Sequence, residues 1–417
     1  MDAGSSVAKP VPLAGVLDVI IRGMLTRRKF ISVAAAGLPA VAFYAKAGAA
    51  EYDLLIKGGR VMDPSRKFDQ VTDVAIKGGR VAAVQGSIPA SSAAEVLDAT
   101  GKYVVPGLID IHTHAGREKE DAALCLADGV TSLIDAGSAG ADGIDAVVAI
   151  AKAAPTRMRV LINIGKKGII PEGDLMDLAN VDAAAARAAI ERHRDVIVGI
   201  KARLSKNVAG SNDLAALKLA QQIARPLNIP IMIHMGQTVS SIADILAMLK
   251  PGDIVTHIYA PPPNGIFDDA GKLKPEVAAA RKRGIWFDFG NGRVDHWTWA
   301  IAEHAMAEKV IPDTLSTDWG QAARTDQVFN FGSVMSKFLL LGMPLDQVVA
   351  CVTSNAAKTF PAFKGLGLLR VGSPADLALL DLQQGSFEFE DNYKGKRTGR
   401  LKLVAAGTVF GGKLYKA

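Results

Sequence analysis

Between residues 104 and 365, short apolar runs alternate with amphipathic, alanine-rich stretches, and no other feature limits the fold as strongly. The apolar runs are VVPGLIDIHTH, VTSLIDAG, MRVLINIG, VIVGIKARLS, IPIMIHMG, DIVTHIYA, GIWFDFGNG and TLSTDWG, eight in all. Between them lie stretches such as NDLAALKLAQQIARPL (Asn212 to Leu227) and SSIADILAMLK (Ser240 to Lys250), with apolar residues at helical spacing. Strands apolar on both faces need cover on both faces, and a helix after each strand supplies it in a parallel sheet. Eight such units predict an α/β chain built on a (β/α)8 TIM-type barrel. An open doubly wound sheet is the alternative, but no strand here is followed by G-x-G-x-x-G.

The flanks read differently. LLIKGGRVMD (Leu54 to Asp63) and VAIKGGRVAAV (Val74 to Val84) each predict a β-hairpin turning at Gly-Gly. GSPADLALLDL (Gly372 to Leu382) and LKLVAAGTVFGGKLYKA (Leu401 to Ala417) repeat the pattern at the other end. Residues 51–103 and 366–417 are therefore expected to form one small β-sandwich, with the barrel of residues 104–365 inserted between them.

Residues 1–50 are expected to be an export signal. TRRKFIS (Thr26 to Ser32) holds Arg27 and Arg28 in a twin-arginine pattern, and the uncharged run ISVAAAGLPAVAFYA (Ile31 to Ala45) is short for a bilayer span. Met24 just ahead of the motif is an alternative start. Cleavage is expected after Ala49 or Ala50, giving a periplasmic or secreted protein that partners the twin-arginine machinery; an uncleaved anchor would tether it instead. Six basic residues against two acidic put +4 of the formal +6 charge in this segment, leaving +2. No basic patch interleaved with aromatics remains, which argues against nucleic-acid binding. Cys125 and Cys351 lie far apart in apolar segments and read as buried thiols.

Barrel chemistry collects at the carboxyl ends of the strands. The first predicted strand ends with His112 and His114, the fourth with Lys201, the fifth with His234, the sixth with His257 and the eighth with Asp318. Four of the seven histidines fall at such ends. His193 and His304 sit in helical stretches and read as surface residues, while His296, in the loop after the seventh strand, fits either group. Residues i and i+2 of a strand share a face, so His112 and His114 can share one ion. Imidazole and carboxylate donors suit zinc. Lys201 follows DVIVGI and should lie in an apolar strand, where an ammonium is costly. It either forms a salt bridge to a nearby Asp or, as a neutral amine, adds carbon dioxide to become a carbamate that bridges two cations.

The ordered set of HxH, Lys, His, His and Asp on a barrel with a β-rich flank resembles the amidohydrolase superfamily. The lysine places it with the binuclear branch of dihydroorotases, hydantoinases and phosphotriesterases, and GIKARLS, VTHIYA and STDWG resemble its deacetylase-like, dihydroorotase-like group. The resemblance implies two divalent metal ions, zinc being expected, with His112 and His114 on the more buried and His234 and His257 on the more exposed one. It implies that carbamylated Lys201 bridges them, and that Asp318 binds the first metal and serves proton transfer. The expected reaction is attack of a metal-bridging hydroxide on an amide or ester, of deacetylase type, in a small carboxylate-bearing substrate. A cyclic amide hydrolase is the alternative, followed by a mononuclear deaminase and a non-catalytic binding protein. Arg203, two residues beyond Lys201 on the same face, either binds a carboxylate or closes a structural salt bridge. Tyr259, Asn291, His296 and Trp319 lie in or beside loops after strands, where specificity groups belong, and GNGR (Gly290 to Arg293) could present backbone amides to a substrate. Self-association is compatible with a barrel of this size.

Overall fold

The computed structural model describes residues 50–320 and 330–415. The predicted export segment lies outside the described residues except for Ala50. Strands β1 (Tyr52–Asp63), β2 (Phe68–Lys77), β3 (Arg80–Gln85), β4 (Ala93–Asp98) and β5 (Tyr103–Pro106) precede the barrel. The barrel strands are β6 (Leu108–Thr113), β7 (Val130–Ala136), β8 (Arg157–Asn163), β9 (Ile197–Arg203), β10 (Ile231–His234), β11 (Ile254–Thr256) and β12 (Trp286–Asp288). Strands β13 (Leu377–Glu390), β14 (Lys396–Phe410) and β15 (Lys413–Tyr415) follow it.

Both ends of the chain meet in one eight-stranded sheet of order β15-β14-β13-β5-β1-β2-β3, with β4 on β1. Side chains alternate across it as the strand period requires: Leu54 and Ile56 join one apolar cluster, Leu55 between them another. Gly78–Gly79 turns β2 into β3 and Gly411–Gly412 turns β14 into β15, as the sequence predicts. The expected hairpin at Gly58–Gly59 is corrected. There β1 runs straight on, with a register shift between Ile56 and Gly59. Gly58 adopts φ +69° and gives its amide to Asp73 Oδ1 at 2.8 Å, and a Cβ on Gly59 would stand 2.5 Å from Val104 Cγ2. The glycines make a bulge against a packed neighbour, not a turn.

Strands β6 to β12 lie side by side in sequence order, all parallel. The eighth predicted strand, TLSTDWG, makes isolated bridges instead of a ladder, yet it closes the sheet. On one side Phe289 N donates to Thr314 O (3.0 Å) and Asn291 N to Ser316 O (2.9 Å). On the other, Asp318 N donates to His112 O (2.8 Å) and His114 N to Trp319 O (2.6 Å). The interior is filled by Ile109, Ile111, Ile134, Leu161, Met232 and Ile254, packed with Phe360 and Phe363. Helices cover the outside: Asp213–Leu227 buries Ala216, Leu217, Ala220 and Ile223, and Ala183–Arg192 starts where the Asp182 side chain accepts from Ala185 N. Cys125 and Cys351 are free and buried. No helix among the described residues is long and apolar enough to cross a membrane.

Register sets the level of each side chain in the barrel. One row runs Asn163, Lys201, Met232, Ile254, Trp286, and the next Arg203, His234, Thr256, Asp288. Lys201 thus springs from the apolar layer and must climb past β7 to reach the polar one. Gly137, at φ +83°, leaves it room, since a Cβ there would stand 2.6 Å from Lys201 Cβ. Gly137→Ala is expected to cost about 1–3 kcal/mol through strain and overpacking. Denaturant unfolding checks this, and a wild-type midpoint would show that the strand end shifts freely.

Candidate metal centre

His112 is the penultimate residue of β6, and its Nε2 lies 3.2 Å from Asp318 Oδ1 and 3.0 Å from Lys201 Nζ. Its Nδ1 meets Thr256 Oγ1 at 3.0 Å, and that hydroxyl spends its proton on Asp288 Oδ2 at 2.7 Å. Thr256 must therefore accept from His112, which puts the ring proton on Nδ1 and the lone pair on Nε2. His114 repeats the device: Nδ1 meets Ser138 Oγ at 3.0 Å, Ser138 donates to Asp135 Oδ2 at 2.7 Å, and Nε2 lies 3.2 Å from Asp318 Oδ1. His257, just past β11 at φ +65°, donates Nδ1–H to Gly290 O at 2.8 Å. Its Nε2 is buried with no hydrogen-bond partner among the described residues. His234 ends β10, with its ring centroid 4.4 Å from that of His257.

Two clusters result, His112 with His114 and Asp318, and His234 with His257 and His296. In each, the candidate ligand atoms lie within 4.8 Å of one another. Lys201 is almost fully buried, and its amine meets His112 Nε2 and, at 3.4 Å, Met232 Sδ. No carboxylate pairs with it among the described residues, so the salt-bridge reading gains no support. Burial pushes its pKa down to about 7. Burial, then the neighbouring Lys201, holds His112 well below the usual imidazole range; burial with His257 does so for His234, and burial with His296 for His257. Burial opposes charge on Asp318, but His112, His114 and His257 outweigh it and hold the carboxyl well below its usual range. Neutral imidazoles and an ionised carboxylate are the forms that bind metal. The donor set, the proton-fixing bonds behind it and the orphaned Nε2 of His257 fit divalent cations.

A cleft of about 480 Å³ opens beside these groups, lined by His114, His234, His296 and Asp318 together with Arg117, Arg203 and Arg293. Arg203 closes the structural salt bridge, its Nη1 contacting buried Asp174 at 3.1 and 3.2 Å, and it also lines the cleft. Three expected substrate contacts are corrected. Tyr259 is buried among the outer packing residues, its hydroxyl donating to Val310 O at 2.7 Å. Asn291 is buried and accepts from Lys337 Nζ at 2.8 Å, while Trp319 is packed in the core and its backbone binds the first barrel strand. The amides of Asn291 and Gly292 close the barrel on Ser316 O and Thr317 O, so the Gly-rich turn does not offer them to a substrate. His193 and His304 lie outside the site, half-buried, one on Asp145 and the other on Gly271 O.

Sequence reading missed Arg117, Arg293 and the relays Thr256–Asp288 and Ser138–Asp135. The signal was present: a polar residue closing an apolar strand, as in VTSLIDAG and GIWFDFGNG. Thr256→Val keeps the shape but removes both the acceptor behind His112 and a donor to Asp288. It is expected to weaken metal binding about 10- to 100-fold, as for other bonds that orient metal ligands. Chelator competition measures this, and unchanged affinity would refute the relay.

A closed parallel barrel with such donors at its carboxyl mouth defines a class, the barrel hydrolases built around divalent metals. The chain belongs to the amidohydrolase family, whose model matches residues 103–409. It is 32% identical over 373 residues to a deacetylase of Enterococcus faecalis, covering 88% of this chain and 99% of that one. A deacetylase of Agrobacterium fabrum is 31% identical over 77% of this chain and 81% of its own. A solved structure described as an adenine deaminase superposes with TM-score 0.79 at 32% identity, over 88% of this chain and all of the other. One described as a dihydroorotase gives 0.78 at 27%, over 87% and 97%.

Proposed function

We propose that the chain is a hydrolase that uses two divalent metal ions, zinc by its donor set, to cleave an amide or ester in a small, carboxylate-bearing acyl substrate. The observation behind it is the pair of ligand clusters beside a buried lysine that has no carboxylate partner among the described residues. In this reading the Lys201 amine attacks carbon dioxide and loses one proton, leaving a carbamate with two oxygens to share between the clusters. When bound, the metals supply Lewis acidity that polarises the acyl carbonyl and activates water near neutral pH. Asp318 takes the proton of the attacking water and returns it to the leaving nitrogen or oxygen. Its Oδ1 faces His112 and His114, and its Oδ2 faces His296. Burial holds His112 and His257 well below the usual imidazole range, so these two do not compete for that proton.

The arginines hold the substrate carboxylate. Arg117 and Arg293 have no ion pair among the described residues and line the cleft, so their charge is free for a ligand. Arg293→Ala and Arg117→Ala are each expected to raise KM about tenfold with kcat little changed, the loss of one charge-assisted hydrogen bond. Steady-state kinetics decides, and an unaltered KM in both would remove these side chains from the substrate site.

Deacetylase names on relatives that match over most of their length support linear acyl substrates. Ring opening and deamination stay in the test because neighbours of similar fold are described as a dihydroorotase and an adenine deaminase. The deciding assay offers N-acetyl amino acids and O-acetyl hydroxy acids beside dihydropyrimidines, hydantoins and adenine. Faster turnover of the linear acids supports the proposal; turnover of cyclic amides alone, or ammonia from adenine alone, overturns it. Action outside the cytoplasm is part of the proposal, supported by Arg27, Arg28 and the apolar run after them. N-terminal sequencing of exported protein should begin near Ala50, and retention of the whole chain in the cytoplasm would contradict export.

A further inference from the structure

His296 stands on the loop after β12, yet its ring stacks on that of His257 with centroids 3.9 Å apart and lies 5.0 Å from that of His234. Its Nδ1 is buried, has no hydrogen-bond partner among the described residues, and lies 3.5 Å from Asp318 Oδ2. Leaving a buried polar atom unpaired is costly, so a built-in orphan facing other orphans marks a place for a ligand. His257 Nε2 is the second such atom in the same cluster.

The loop holding this ring is fixed from outside the barrel. Asn392, in the turn between β13 and β14, accepts from His296 N through Oδ1 at 3.1 Å and donates through Nδ2 to Gly292 O at 3.1 Å. Asp391 beside it accepts from Trp299 N at 2.9 Å, and Trp299 Nε1 donates to Gly395 O at 3.0 Å. The turn of the terminal sheet and the loop at the barrel mouth are thus tied by four bonds. Gly292 fits this seat because a Cβ on it would stand 1.7 Å from His296 Nδ1.

We propose that His296 is a third protein imidazole on the outer metal position, beside His234 and His257, and that Asn392 is the positioning residue that sets it there. The inference rests on the two-metal reading above and adds a ligand to it. Three neutral imidazoles favour zinc over the harder, oxygen-seeking magnesium, calcium and manganese. The terminal sheet then takes part in the metal site through Asn392.

The test uses the mature protein, stripped of metal and titrated with zinc against a competing chelator, with the cobalt(II) absorption spectrum as a second readout. Wild type should show two sites. His296→Asn and His296→Ala should weaken one site by about 100-fold or more and alter the cobalt spectrum. Asn392→Ala should weaken the same site about 10- to 100-fold, the range for groups that orient ligands. The other site, and the unfolding midpoint of the metal-free chain, should hold. Two zinc sites of wild-type affinity with an unaltered spectrum in the His296 variants would overturn the ligand assignment while leaving the two-metal reading standing. A wild type with a single site, lost on removal of His296, would overturn the two-metal reading and uphold the ligand.

Discussion

Lys201→Ala is expected to lower kcat/KM by about 1,000-fold and to release metal, a larger loss than that caused by trimming a bond behind a ligand. The amine sits in an apolar layer beside Met232, contacts His112 Nε2 and pairs with no carboxylate among the described residues. A charge-bearing lysine there would be uncompensated, whereas a carbamate supplies the anion that two cations need between them. The variant leaves a hole the size of the lost side chain. A short carboxylate such as propionate should enter it, offer two oxygens and restore part of the activity. Recovery with ethylamine but not propionate would show that the site needs a cation at this position and would refute the carbamate.

Asp318→Asn is the second large effect. The substitution preserves size and leaves the backbone bond to His112 O untouched. The amide cannot accept and return a proton, so kcat should fall about 100- to 10,000-fold, with KM changed far less. The residue adopts φ +52°, a conformation asparagine tolerates, so folding should survive. Stopped-time assays at saturating substrate check this. A variant within tenfold of wild type would move proton transfer to another group.

The barrel and the residues of its candidate metal centre were legible because each lies where two independent patterns cross. Apolar strand runs locate the barrel, and a polar residue at the end of such a run is conspicuous. His112, His114, His234 and Asp318 stand out on that ground, and His257 follows its strand directly. Strand periodicity fails one step further on, in the loops. Tyr259 and Asn291 follow strands just as His257 does, but one turns outward to Val310 O and the other inward to Lys337. That choice depends on partners about 50 residues away in the chain. Asn392 is hidden for the same reason, because nothing local in its turn reveals that it grips a loop 96 residues earlier. Gly-Gly pairs are ambiguous in a related way. Positive φ serves a hairpin at Gly78 and a bulge at Gly58, and the bulge is marked by long-range partners, Asp73 on the Gly58 amide and Val104 against Gly59.

Elemental analysis of the protein, purified without chelators and normalised to chain concentration, tests the central claim most directly. The two ligand clusters predict about two divalent ions per chain, with zinc predominant. A fully active enzyme holding one ion or none would contradict it.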